Sequence, residues 1–307
     1  MVHARGVSVM RGFAELAAIS NFSFLHGASH PQEMVETAAA FGYRAIGLAD
    51  RNTLAGVVRG HAAAKQAGLR YLPGARLVTQ CGFEVIAYPR SRAAYGALSQ
   101  CLTQANRRGR KGECLLSMDD VLELARHAAL CWLAVPPLRA EPVFGEKLAQ
   151  LAAATRQVYA LLVPLYGADD KTRLRDIAAM ADWAGAALLA SFDPLYHAPE
   201  RRPLQDVVSC IRQHVRLDEA GYRLAGNAER HIKPEAEAQR LFANYPQALS
   251  NIQKVWTRVI FRSTNWLINI PKTRLTRSLA RKNFWKSWLG TGRMRGFPMG
   301  CRKNSTG

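Results

Sequence analysis

The chain has 307 residues, 49% of them apolar, enough to bury one large core or two small ones. No run approaches 18 apolar residues, so no membrane-spanning helix is expected; the six scattered cysteines form no CxxC pair and no zinc spacing, which fits a reducing cytoplasm. The net charge of +19 suggests a nucleic-acid binder until it is mapped: 12 of the 42 Lys and Arg lie in 255–307, which has no Asp or Glu, leaving 30 basic against 23 acidic side chains elsewhere.

The opening stretch MVHARGVSVMRGF is basic but has no long apolar core, so residues 1–12 read as an extension rather than a signal peptide. A short apolar run at 16–19 breaks into Ser20-Asn21, and His30-Pro31 opens a helical pattern. Residues 45–49 read as a strand, 50–53 as a turn, and 54–67 as a helix stopped by Gly68. Tyr71-Leu72 and Leu77-Val78 flank Pro73-Gly74; 85–88 is a strand and 92–104 a helix. Ser117 caps a helix through Arg126, with Asp119 and Asp120 in its first turn. Strands follow at 130–135, 158–165 and 187–190, and helices at 169–183 and 202–214. Repeated strand–helix units predict a parallel α/β sheet or TIM-like barrel, with its chemistry at the strand C-terminal ends.

Four polar clusters fall at such ends: Ser20-Asn21, Asp50-Arg51-Asn52, Gly74-Ala75-Arg76, and Asp193 with His197. In that order, and with SNFSFLHGASHPQEMV (20–35), LADRNTLAGVVRGHAAAKQAGLRYLPGARL (48–77), AYPRSRAAYGALSQCLT (87–103), KGECLLSMDDVL (111–122) and YHAPERRPLQDVVSCIRQHVRLDEAG (196–221), they resemble the PHP (polymerase and histidinol phosphatase) domain of bacterial C-family DNA polymerases, most closely the error-prone branch. The likeness spans 13–254 and implies a distorted (β/α)7 barrel of the PHP superfamily. It also implies partners: DNA, the polymerase core and mutagenesis accessory proteins, in a full-length enzyme that copies damaged templates with Mg.

Active PHP domains are similar to metal-dependent phosphoesterases, in which strand-end histidines and carboxylates hold two or three Mn or Zn ions. Carried onto this sequence, the His-x-His pair falls on Ala17 and Ile19, Asp-His on Asp50-Arg51, Gly-x-Glu on Gly74-Ala75-Arg76, and Asp-x-His on Asp193-Pro194-Leu195. Ala17, Ile19 and Leu195 have no donor atoms, and Arg51 and Arg76 put fixed positive charge where a cation would sit. No metal cofactor is therefore expected for this chain, and Asp50 and Asp193 are expected to pair with the two arginines. A rival reading is a stand-alone PHP phosphoesterase with a relocated metal site built from His26, Asp50, Asp193 and His197.

Other signals are bland. The run RRGRKGE (107–113) reads as a solvated loop before it reads as a phosphate contact, and Ser20 and Ser23 read as turn formers. The basic stretch 255–307 has four of the six tryptophans and no helical period. It is expected to be poorly ordered and to share nothing with the family, as an out-of-frame translation would. Without palm, fingers and thumb, the chain by itself is expected to extend no primer, leaving its PHP domain a scaffold.

Overall fold

The computed structural model describes residues 12–259. Seven strands make one sheet: β1 (Ala14–Ala18), β2 (Ala45–Arg51), β3 (Arg70–Val78), β4 (Glu84–Pro89), β5 (Leu130–Val135), β6 (Val158–Leu162) and β7 (Ala187–Ala190). The helices between them are α1 (Pro31–Ala40), α2 (Val57–Gln66), α3 (Arg92–Arg108), α4 (Met118–His127), α5 (Pro142–Ala154) and α6 (Asp170–Trp183). After β7 come α7 (Arg202–Gln213), α8 (Glu235–Leu241) and α9 (Pro246–Arg258).

The strands lie in the sheet in chain order, as consecutive α/β units dictate. One strand departs from the parallel expectation. β4 runs antiparallel to both β3 and β5. Its link to β3 is a tight hairpin in which Thr79 N donates to Phe83 O at 3.0 Å, and Gly82 supplies the turn with a φ of 80°. The reversal matters for the site, because it puts the first residue of β4, Glu84, opposite Val78 at the C-terminal end of β3.

The sheet curls into a half-barrel, and among the described residues no ladder joins β7 to β1. Single contacts span that gap: Ile19 N donates to Pro194 O at 3.2 Å and Ala28 N to Leu195 O at 3.0 Å. The carboxylate of Glu15 crosses the same gap to Ser191 and Phe192. α9 packs on β7, where Asn251 Nδ2 donates to Leu188 O at 2.9 Å and Ile252 and Val255 are buried. The expected boundary at residue 254 therefore falls inside α9; the remainder of 255–307 past Val259 lies outside the described residues, as does the 1–12 extension apart from Gly12.

The interior is filled by side chains. Trp132, Tyr88, Phe13, Leu16 and Met34 are fully buried. Tyr88 lies across Gly47 and Gly74, and its hydroxyl donates to Leu16 O at 2.7 Å. A Cβ on Gly74 would sit 2.5 Å from Cε1 of that ring, so both glycines are bare because the aromatic crosses there. Pro73 does not interrupt β3, which continues through it to Val78. β6 ends at Leu162, short of the expected 165, just before Pro164. α4 begins as expected at Ser117, whose hydroxyl accepts from Asp120 N while Asp120 accepts from Ser117 N.

Candidate functional site

The ends of β1, β2, β3 and β7, with the start of β4, meet at one rim. Parallel register aligns Asp50 with Ala75 and Arg51 with Arg76. Asn52, with a φ of 52°, closes the rim between β2 and β3: its Oδ1 accepts from Val78 N at 2.8 Å, and its own N donates to Arg76 O at 2.8 Å.

Arg76 is the centre of the charge network. It is 3% exposed, yet its Nη2 donates to Ala17 O at 2.9 Å and to Asp193 Oδ1 in a short contact. Its Nη1 lies 3.6 Å from Glu84 Oε2, which accepts from Arg51 Nη1 at 2.7 Å. The other oxygen of Asp193 accepts from Arg230 Nη2, and Arg230 also donates to Asp193 O through Nε at 3.1 Å. Asp193 sits in the left-handed region with a φ of 46°, a conformation Asp tolerates, and Ser191 Oγ accepts from its N at 2.9 Å. Burial pushes the Asp193 carboxyl up, but the guanidiniums of Arg230 and Arg76 outweigh it and hold the group below its ordinary value.

The expected pairing of arginines with both aspartates holds for Asp193 and fails for Asp50. Arg51 turns to Glu84 instead. Asp50 is held by hydroxyls and one amide: Ser20 N at 2.7 Å, Ser20 Oγ at 2.9 Å and Ser23 Oγ at 2.7 Å. Ser23 is thus more than a turn former, because its Oγ also accepts from Arg51 N at 3.0 Å. Burial raises the Asp50 carboxyl despite these donors. The reason for the different fates is placement. Glu84 arrives beside Arg51 only because β4 is reversed, and no parallel reading predicts it there.

The four candidates for a relocated metal site are not brought together as ligands. His26 Nδ1 faces Arg212 Nη1 at 2.6 Å, and burial together with Arg51, Arg212 and Arg76 pushes its pKa down to about 3. His197 Nδ1 faces Ser29 Oγ at 2.8 Å. Asp50 and Asp193 are spoken for as described above. Ala17, Ile19 and Leu195 offer no side-chain donor, so the residues present do not fit a PHP-type metal cluster. Among the described residues no group of three or more His, Cys, Asp or Glu is arranged to hold a metal ion. In the 107–113 run, Arg108 is tied to Asp120 through Nη1 at 2.5 Å and Nη2 at 2.9 Å.

Sequence reasoning missed Arg230, Glu84, Arg212 and Glu15. Glu15 is fully buried in β1 and accepts from Leu16 N, Ala17 N, Ser191 Oγ and Phe192 N at 2.5–2.9 Å. Burial dominates its shift and raises its pKa to about 7. A lone Glu inside an apolar strand is a readable signal; Arg230, 37 residues from Asp193, carries none.

A curled α/β sheet with a charged cluster across its strand C-terminal ends is the barrel-type class in which such rims carry the site. The chain belongs to the PHP domain family, whose model matches residues 15–174. It is 43% identical over 251 residues to an error-prone DNA polymerase of Caulobacter vibrioides, covering 81% of this chain and 23% of that protein. It is 41% identical over 294 residues to one of Mesorhizobium japonicum, covering 94% of this chain and 26% of that protein. An alignment of that extent takes in part of 255–307, against the expectation that this stretch shares nothing with the family. The chain spans about a quarter of the length of the curated relatives it matches. Among solved structures, an amidohydrolase from Chromobacterium violaceum matches with a TM-score of 0.46 at 16% identity, covering 58% of this chain and 86% of that one. No helix among the described residues is long and apolar enough to cross a membrane.

Proposed function

We propose that this chain is the PHP portion of an error-prone DNA polymerase, with a strand-end site that has exchanged metal ions for guanidiniums and a scaffolding role. The observation that carries the reading is the clamp on Asp193. Its two carboxylate oxygens, which would ligate a cation in an active PHP site, each accept from an arginine. A carboxylate so neutralised offers a metal nothing, and Arg76 and Arg51 repel one. Synthesis on damaged DNA, with Mg, DNA and mutagenesis accessory proteins, belongs to the full-length polymerase, and with it a cytoplasmic setting.

A scaffold needs a face to pack with. On α7, Leu204, Val207 and Ile211 recur at helical spacing and are exposed, with Leu217 beyond them. The test mixes the full chain with the three quarters of the Caulobacter polymerase that it does not match. The reading expects a complex that Ile211→Asp weakens by about tenfold or more, as a charge forced into an apolar interface does. It also expects no primer extension and no Mn-dependent phosphatase activity from the chain alone. Phosphatase activity abolished by Asp50→Ala would instead revive the phosphoesterase reading.

A further inference from the structure

The rim opens into a cleft of about 780 Å³ lined by seven Arg and Lys against four Asp and Glu. The counter-charges do not balance inside it. Asp193 is shared by Arg76 and Arg230, and Glu84 by Arg51 and Arg76, so three guanidiniums divide two carboxylates. A fourth, Arg212, has no carboxylate within ion-pairing distance among the described residues. Its Nη1 donates to His26 Nδ1 at 2.6 Å and to Leu25 O at 3.3 Å. His26 accepts that bond as a neutral ring and brings no negative charge.

Two further observations point the same way. Burial and the positive charge of Arg51 push Arg212 below its ordinary value, even though Arg51 itself is paired with Glu84. Arg76 Nε is buried and has no hydrogen-bond partner. Cations gathered in a half-enclosed, poorly screened space are destabilising unless an anion joins them. Planar guanidinium forks match the oxygens of a phosphate group in charge and spacing.

We infer that this cleft binds a phosphate-bearing anion, held chiefly by Arg51, Arg212 and Arg230. The space exceeds that of a single phosphate, so the group can arrive free or at the end of a nucleotide. This goes beyond the scaffold role and stands without it, because the cleft belongs to the chain alone.

The experiment follows the ring signals of His26 by NMR in the full chain during titration with inorganic phosphate, a 5′-phosphorylated thymidine dinucleotide, and the same dinucleotide without its phosphate. Anion binding beside Arg212 is expected to move the His26 signals and raise its pKa from about 3, since negative charge favours the imidazolium. Arg212→Gln and, separately, Arg51→Gln are expected to weaken binding roughly tenfold or more, the worth of one charged hydrogen bond. Equal affinity for phosphate and the phosphorylated dinucleotide assigns the site to a free anion; tighter binding of the dinucleotide assigns it to a nucleotide phosphate. Unmoved His26 signals overturn the inference. So does binding that both variants leave unchanged, which would put the anion outside this cleft. Should Arg212→Gln fail to fold, the wild-type His26 signals and the Arg51→Gln variant decide.

Discussion

Replacing Arg76 by Met keeps the approximate length of the side chain and removes its charge and its five N–H donors. The side chain is 3% exposed, so water cannot replace what is lost. Breaking a buried ion pair from one side costs about 3–5 kcal/mol, because the partner is left charged and buried. Here the loss is smaller, since Arg230 stays on Asp193 and Arg51 stays on Glu84. The bond to Ala17 O disappears outright. About 2–3 kcal/mol is the expected total, measured as a drop in the guanidinium chloride midpoint at unchanged slope. The direct assay is a double-mutant cycle with Asp193→Asn. The two residues touch, so their effects should couple by about 1 kcal/mol or more. Strict additivity within about 0.3 kcal/mol would mean the contact contributes nothing, and the guanidinium-for-metal argument would fall with it.

Glu15 sets a pH dependence of the opposite sign to an ordinary paired carboxylate. Its folded pKa, about 7, lies above the unfolded 4.5, so its contribution is full below pH 4.5 and fades as pH rises towards 7, by about 3 kcal/mol at most. Urea titrations of Glu15→Gln across that window should lose this slope; a slope unchanged from the wild type would show that another group causes it. Ser23→Ala removes a hydroxyl that donates to buried Asp50 and accepts from Arg51 N, and should lower stability by about 1.5–3 kcal/mol in chemical unfolding, whereas Ser23→Thr should retain most of it. Gly74→Ala drives a methyl into Tyr88 and should cost about 1–3 kcal/mol by calorimetry; a neutral result would mean that the ring can shift aside.

Much of the scaffold was legible because strands and helices alternate with clear punctuation. Ser117, Gly68 and the 130–135 and 187–190 runs fall where the structure uses them. α5 escaped because its sequence, PVFGEKLAQLAAA, is apolar on more than one face and gives weak periodicity. α9 escaped because it runs into the basic stretch, whose composition hides its buried Val255. At the site, motif order placed Asp50, Arg51, Arg76 and Asp193 at one rim. It could not assign their partners, which depend on long-range geometry: the reversed β4 brings Glu84 to Arg51, and the chain after β7 brings Arg230 back to Asp193.

The measurement closest to the central claim is metal content. The full chain, purified without chelator and then dialysed against equimolar Mn or Zn, is assayed by mass spectrometry and by titration calorimetry. Guanidinium occupation of the site predicts well under one metal ion per chain and no binding heat that Asp193→Asn alters. One or more ions bound per chain, released by Asp193→Asn, would contradict it, because the clamp of Arg76 and Arg230 on that carboxylate would then have to open for a cation.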